Sequence, residues 1–133
     1  MDTFSESQLA IYRQAHRERL NRQVEQRESW REKTLAMVKE TVPSIAESIV
    51  TVNQVFLFGS ITKPGLFRPE SDVDIAVTGT TATDYFTFWR KLEEALPEWQ
   101  IDCRDVSDNS FFATWVKETG TLIYERSSAA IGS

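Results

Sequence analysis

The chain has 133 residues, of which 41% are apolar and 26% charged, and these values predict one globular domain around a single core. The net charge is −5. Residues 41–133 contain thirteen Asp and Glu but only seven Lys and Arg, which excludes a broad basic surface for binding nucleic acid in that part of the chain. One cysteine, Cys103, excludes an intrachain disulfide and a multi-cysteine metal site, and one histidine, His16, disfavours a histidine-rich zinc site or a histidine-centred relay.

The N-terminal third predicts a long, polar helix. Helix formers dominate residues 5–40, and neither Gly nor Pro interrupts them. At 1.5 Å per residue such a helix is about 54 Å long, so it must bend or project from a domain of this size. Apolar positions are sparse between Arg13 and Ser29, which predicts a solvated surface or one that meets a partner. Pro43 predicts the start of a second, short helix over 44–49.

Short strands and two further helices are predicted after residue 50. Together with the long helix they predict an α+β fold: a small mixed β-sheet with helices packed on one side. We expect an N-terminal helical extension over 1–42, the domain that carries the chemistry over 43–126, and a disordered tail over 127–133. No apolar run reaches membrane-spanning length and no leader pattern begins the chain, so we expect a cytoplasmic protein with no membrane contact. The predicted strands are 54–58, 72–77, 99–106 and 121–125, and the predicted helices are 83–96 and a segment capped by 108–110 and stopped at Gly120.

The second predicted strand carries two carboxylates. Asp72 and Asp74 are two residues apart, so both project from the same face of the strand. Two neighbouring carboxylates repel each other unless a cation neutralises them. A hard divalent ion such as Mg²⁺ does so while keeping positions for water and phosphate oxygens. The pair therefore predicts a magnesium site.

Gly59 and Ser60 directly follow the first predicted strand. A glycine there lets the backbone approach a ligand closely. If Ser60 opens a helical turn, backbone N–H groups and its hydroxyl would face the same cleft as the carboxylates. The pair predicts a phosphate-binding turn without a Walker sequence.

A third carboxylate comes from the strand over 99–106. Alternation with Ile101 and Cys103 favours Asp102, whereas Asp105 has the opposite phase and stays an alternative. Three carboxylates together could hold two metal ions. One ion would bind the triphosphate of a nucleotide, and the other would lower the pKa of an attacking hydroxyl whose proton Asp102 accepts. The predicted reaction is in-line displacement at the α-phosphorus with release of pyrophosphate.

The aromatic residues of the two later helices are predicted to pack in the core. Base stacking by one of them is the less favoured alternative. These residues are Phe88, Trp89, Phe111, Phe112 and Trp115.

The run 55–60, followed after eleven residues by the run 72–77, resembles the signature of the DNA polymerase β-like nucleotidyltransferase superfamily. The short chain and the run 101–106 are similar to its minimal branch (MNT). The resemblance implies that Gly59 and Ser60 hold a triphosphate. It implies that Asp72, Asp74 and Asp102 bind two Mg²⁺. Many relatives carry an Arg shortly after the Gly-Ser pair; here Lys63 is the candidate that takes over this phosphate contact.

Many stand-alone MNT proteins are antitoxins paired with a HEPN-domain toxin. The resemblance implies an enzyme that moves AMP from ATP onto a hydroxyl, a tyrosine in the studied type, of such a toxin, and it implies no direct nucleic-acid binding. One alternative is a transferase for a small hydroxyl-bearing molecule. Another is a non-catalytic antitoxin that neutralises its partner by binding alone.

Overall fold

The computed structural model of the chain describes residues 4–127. Within this range no helix is long and apolar enough to cross a membrane. A short 3₁₀ segment, Gly59–Thr62, follows the first strand and is called the Gly-Ser turn below. The other elements are α1 (Glu6–Glu47), β1 (Gln54–Phe58), β2 (Val73–Thr78), α2 (Ala82–Ala95), β3 (Ile101–Asp105), α3 (Phe111–Thr119) and β4 (Thr121–Glu125).

The four strands form one mixed sheet in the order β3-β2-β1-β4. β1 pairs antiparallel with both β2 and β4, whereas β2 and β3 are parallel. The parallel pair requires a crossover, and α2 supplies it. The predicted α+β class with a small mixed sheet and a long N-terminal helix is confirmed.

The two faces of the sheet carry different helices. Alternate residues of β1 and β2, such as Val55, Leu57 and Ile75, are fully buried against α1 and α2. The intervening residues Phe56 and Ala76 pack against α3 on the opposite face. The two longer helices therefore share one side, as predicted, and α3 alone covers part of the other.

Helix α1 is one continuous helix, and the predicted break at Pro43 is wrong. A proline inside a helix removes one backbone hydrogen bond and crowds the carbonyl four residues earlier. Val38, Val42 and Ala46 are completely buried on either side of it, and their packing outweighs this local cost. The proposed boundary between residues 42 and 43 falls inside α1 and stays a prediction.

The first half of α1 has almost no tertiary contact. Every residue from 10 to 26 is exposed, so the helix projects from the domain. Ser5 caps it in a reciprocal capping box with Gln8. Residues 4–27 are called the N-terminal arm below.

The aromatic residues divide between core and surface. Phe88 is fully buried and Trp89 packs against the core, as predicted. Phe111, Phe112 and Trp115 are exposed, so their predicted place in the core is wrong. The reason is that α3 is short and buries only the face that carries Ala113 and Val116. Of the predicted disordered tail, residues 128–133 lie outside the described residues.

Candidate active site

Three carboxylates converge on the face of the sheet that α3 leaves partly open. Asp74 and Asp102 are register partners on the parallel strands β2 and β3, and Asp72 precedes β2 by one residue. One oxygen of each of these three side chains lies within 4.8 Å of the others. The structure thus brings together the three carboxylates that the sequence analysis grouped.

Asp105 lies outside this cluster. Its side chain accepts a hydrogen bond of 2.8 Å from the backbone N–H of Ser107. It occupies the alternate phase of β3, so it points away from the face that carries Asp102. Geometry favours Asp102 over Asp105 as the third member.

The electrostatics of the cluster fit a divalent cation. The pKa of Asp74 is raised to about 6, first by burial and then by the charges of Asp102 and Asp72. Carboxylates grouped in this way are the donor set that Mg²⁺ prefers. The residues present therefore fit a metal site, and they leave room on the solvent side because Asp72 is exposed.

Only glycine fits at position 59, because the Asp74 side chain lies very close to the Gly59 backbone. Its φ of +76° is in the left-handed region, and a Cβ added to it would overlap the Oδ2 atom of Asp74. The Gly-Ser turn and the carboxylate cluster are therefore in direct van der Waals contact. A ligand on the turn would also face the metal site.

Contacts from α1 hold the Gly-Ser turn, and sequence reasoning missed this. Arg31 donates a hydrogen bond of 3.1 Å to the carbonyl of Ile61. Glu28 accepts one of 2.9 Å from the N–H of Gly65 and is itself bonded to Arg31 at 2.7 Å. The spacing of three residues between Glu28 and Arg31 indicated a pair, but nothing in the sequence indicated its target.

The two remaining predicted residues lie on the turn and at its end. Ser60 is partly exposed within the turn, and its carbonyl accepts a 3.0 Å bond from the N–H of Lys63. The Lys63 side chain is exposed and lines a cavity together with Gly59. Both side chains are accessible to a ligand.

Arg104 is a further charged neighbour that the sequence analysis did not single out. Its Nε lies 3.2 Å from one oxygen of Asp102 and 3.3 Å from the other. Its position two residues after Asp102 on a strand was the available signal, since such residues share a face. Arg104 partly neutralises the cluster and lowers the pKa of Asp74, although burial and the two aspartates outweigh it.

Comparison with known proteins gives matches among solved structures and in one family. No curated protein sequence matches the chain. A toxin–antitoxin structure with AMP-PNP is 21% identical, with a TM-score of 0.47 over 74% of this chain and 76% of that chain. The MntA–HepT toxin–antitoxin structure is 20% identical, with a TM-score of 0.41 over 72% of this chain and 70% of that chain. Similarities at this level assign neither substrate nor partner.

The family match covers most of the chain. The profile described as "Polymerase beta, Nucleotidyltransferase" matches residues 40–129, which include the whole sheet, the Gly-Ser turn and the three clustered carboxylates. This confirms the resemblance seen in the sequence, and the chain belongs to the polymerase β nucleotidyltransferase family.

Proposed function

We propose that this protein transfers AMP from ATP onto a hydroxyl of a partner protein. The observation that carries the proposal is the convergence of Asp72, Asp74 and Asp102 beside a turn that only glycine can form at Gly59. The resemblance of the sequence to minimal nucleotidyltransferases supports ATP as the donor. It also supports a HEPN-domain toxin as the acceptor, with a tyrosine as the modified residue and neutralisation as the outcome. We further propose that the protein acts in the cytoplasm, where ATP and Mg²⁺ are both available.

Each site residue has a distinct role in this proposal. Gly59 and Ser60 hold the triphosphate, and Lys63 adds a positive charge to it. Asp72, Asp74 and Asp102 would hold two Mg²⁺. Bound magnesium would neutralise the phosphates and make the acceptor hydroxyl more acidic.

The transfer itself follows from this arrangement. Asp102 accepts the proton of the acceptor hydroxyl, and the hydroxyl oxygen forms a bond to the α-phosphorus. The bond from the α-phosphorus to the bridging oxygen breaks, and pyrophosphate leaves in line. Positioning and charge neutralisation lower the barrier, as in other phosphoryl transfers.

The projecting N-terminal arm supports a macromolecular acceptor. Around its exposed surface it carries Arg13, Arg17, Arg19 and Arg22 together with apolar Leu20. A mixed basic and apolar helix is a surface that an acidic protein can cover. The base of the arm continues directly into the segment that contacts the Gly-Ser turn, so a partner that covers the arm down to its base would come close to the site.

A labelling experiment tests the proposal. The protein is incubated with Mg²⁺, ATP labelled at the α-phosphate and the product of the adjacent reading frame, and label on that partner is measured. Asp72→Asn with Asp74→Asn should abolish labelling, whereas Asp105→Asn, a change to an exposed carboxylate outside the cluster, should leave it unchanged. An unlabelled partner would contradict the proposal.

Two outcomes would support the alternatives. Neutralisation of the partner by the Asp72→Asn, Asp74→Asn protein would mean that binding alone suffices. Turnover of a small hydroxyl-bearing acceptor by the isolated protein would favour a small-molecule transferase. Asp72 is exposed, so this side of the site is open to a large acceptor, which favours the protein acceptor.

A further inference from the structure

Three aromatic side chains form a partly exposed wall beside the carboxylates. Phe58 packs edge-on against Phe112 and Trp115, with ring centroids 5.5 and 6.3 Å apart. Phe112 and Trp115 lie 6.1 Å from each other and remain 39% and 38% exposed. Phe58, Phe112 and Trp115 are called the aromatic wall. An exposed aromatic surface on one face of a domain is typical of a site that binds a ligand or a partner.

The wall lies on the same face of the sheet as the carboxylates. Phe58 is the register partner of Asp74 across the antiparallel pair β1–β2, and Asp74 is the partner of Asp102 across β2–β3. Directly opposed residues point to one face with Cβ atoms about 5 Å apart. The order across the sheet is therefore aromatic wall, then Asp74, then Asp102.

A cavity joins the wall to the Gly-Ser turn. Its volume is about 270 Å³, enough for a planar heterocycle. Gly59, whose Cβ position is occupied by the Asp74 carboxylate, forms part of its lining, and so does Lys63. The cavity is thus continuous with the proposed triphosphate site. Its lining residues are Phe58, Gly59, Thr62, Lys63, Trp115 and Thr119.

We propose that this cavity binds the base of the nucleotide, with Trp115 as the stacking surface; the inference rests on the proposed function. A nucleobase is flat and has a π face, so stacking on an indole ring favours it whatever its hydrogen-bonding edge. The shared lining by Gly59 and Lys63 ties the occupant to a phosphate-bearing ligand. This favours the donor nucleotide over an aromatic side chain of the acceptor.

The experiment compares two ligands that differ in the nucleoside. AMP-PNP and inorganic triphosphate are titrated, with Mg²⁺, into the full chain and into Trp115→Ala, Trp115→Phe and Phe111→Ala. Trp115→Ala should weaken AMP-PNP binding about tenfold and leave triphosphate binding unchanged, because one stacked ring is lost. Trp115→Phe should restore most of the affinity. Phe111→Ala is the matched control, since Phe111 neighbours the wall in sequence but is 89% exposed and outside the cavity.

Three results would overturn the inference, and a fourth would overturn the proposed function on which it rests. Unchanged AMP-PNP affinity of Trp115→Ala with a raised KM for the acceptor would assign the cavity to the acceptor instead. Equal loss of AMP-PNP and triphosphate binding, in a variant whose thermal melting is unchanged, would mean that Trp115 acts on the turn. Failure of the unaltered protein to bind triphosphate would contradict the proposed function itself, whereas triphosphate binding without any effect of the wall would contradict only the base site.

Discussion

The Asp74 Oδ2 atom fills the space that a side chain on Gly59 would need, and this close contact joins the Gly-Ser turn to the carboxylate cluster. The sequence analysis expected Gly59 to allow the close approach of a ligand, but it did not predict that Asp74 Oδ2 is the atom in contact with it. Asp74 is half-buried between Asp72 and Asp102, which raises its pKa to about 6. The contact with Gly59 comes from pairing of β1 with β2, which sets Phe58 opposite Asp74 and leads straight into the turn. The raised pKa also requires pairing of β2 with β3, which sets Asp102 beside Asp74.

Gly59→Ala should impair function far more than fold. The new Cβ would displace the Asp74 carboxylate, and such misplacement of a site group costs on the order of 100-fold in rate. Gly65→Ala is the matched control, because Gly65 also has a positive φ, +81°, but a Cβ there meets open space. Both changes should cost about 1–2 kcal/mol of stability for the left-handed conformation. Equal AMP transfer by the two variants would contradict the proposed contact.

Asp74→Asn should stabilise the metal-free protein at pH 7.5. The pKa of Asp74 in the folded state, about 6, lies above its ordinary value of 3.8, so the folded protein holds this proton more tightly than the unfolded chain. This contribution to stability is present below pH 4 and is lost as the pH rises through 6. In EDTA, Tm of the unaltered protein should therefore fall relative to that of Asp74→Asn between pH 5 and 7.5.

Added Mg²⁺ provides the complementary measurement. At pH 7.5 it should raise Tm of the unaltered protein by binding the folded state, and it should have little effect on Asp74→Asn. Without metal at pH 7.5, a lower Tm for Asp74→Asn than for the unaltered protein would contradict the expected charge repulsion among these carboxylates.

Element ends and edges are held by side chains from distant segments. α2 protects the outer edge of β3, because Tyr85 donates to the carbonyl of Cys103 at 2.6 Å and Trp89 to that of Ile101 at 3.1 Å. Arg126, just after β4, closes the C-terminal end of α1. Its guanidinium donates to the carbonyls of Ala46 at 3.1 Å and Ile49 at 3.0 Å. A cation at this position also complements the helix dipole.

Arg126→Ala should lower the free energy of unfolding by about 1.5–3 kcal/mol. The change removes charge-assisted hydrogen bonds and leaves the carbonyls of Ala46 and Val52 without this donor. Arg90→Ala is the control, since Arg90 is 68% exposed and its pair with Glu94 spans 3.8 Å, so its loss should cost less than about 0.5 kcal/mol. Urea unfolding measures both. Equal losses in the free energy of unfolding would show that the hydrogen bonds of Arg126 do not stabilise the C-terminal end of α1.

The molecule as a whole consists of a nucleotidyltransferase domain and a helix that projects from it. The family match begins at residue 40, whereas α1 begins at Glu6. The arm is basic and the remaining chain acidic, so the two parts present opposite charge to a partner. Contacts of Arg31 and Glu28 join the base of the arm to the Gly-Ser turn and to the segment that follows it, respectively.

Deletion of residues 1–26 should separate partner binding from catalysis. Residues 10–26 are exposed, so the shortened protein should keep its thermal melting and its affinity for AMP-PNP. Labelling of the partner should fall because KM for the partner rises. A charge-reversal variant, Arg17→Glu with Arg22→Glu, should have the same effect without shortening the helix.

Two results would contradict the role of the arm. Unchanged labelling by both variants would show that the partner does not use it. Loss of AMP-PNP affinity on deletion would show that the arm supports the nucleotide site directly.

The sequence by itself determined the α+β class, the strand positions and the grouping of six candidate residues. Alternation along β2 and β3 sufficed for the carboxylates, because a strand has a period of two and the core must take the apolar phase. Gly59 and Ser60 were indicated by their place after a strand, and Lys63 by the family resemblance, as the candidate for the Arg that many relatives carry there. Cys103, which alternates with Asp102 along β3, is buried in the core, and its pKa is raised to about 12 by burial and by the nearby Asp102 and Asp105.

Tertiary structure alone decided what lies around that site. The helix through Pro43 persists because buried neighbours outweigh a local penalty, which no local pattern reports. The sequence alone could not show that Phe112 and Trp115 of the aromatic wall lie outside the core. An apolar side chain on a helix is buried or exposed according to what packs over it. Contacts from Glu28, Arg31 and Arg126 join residues tens of positions apart, and only the folded chain brings them together.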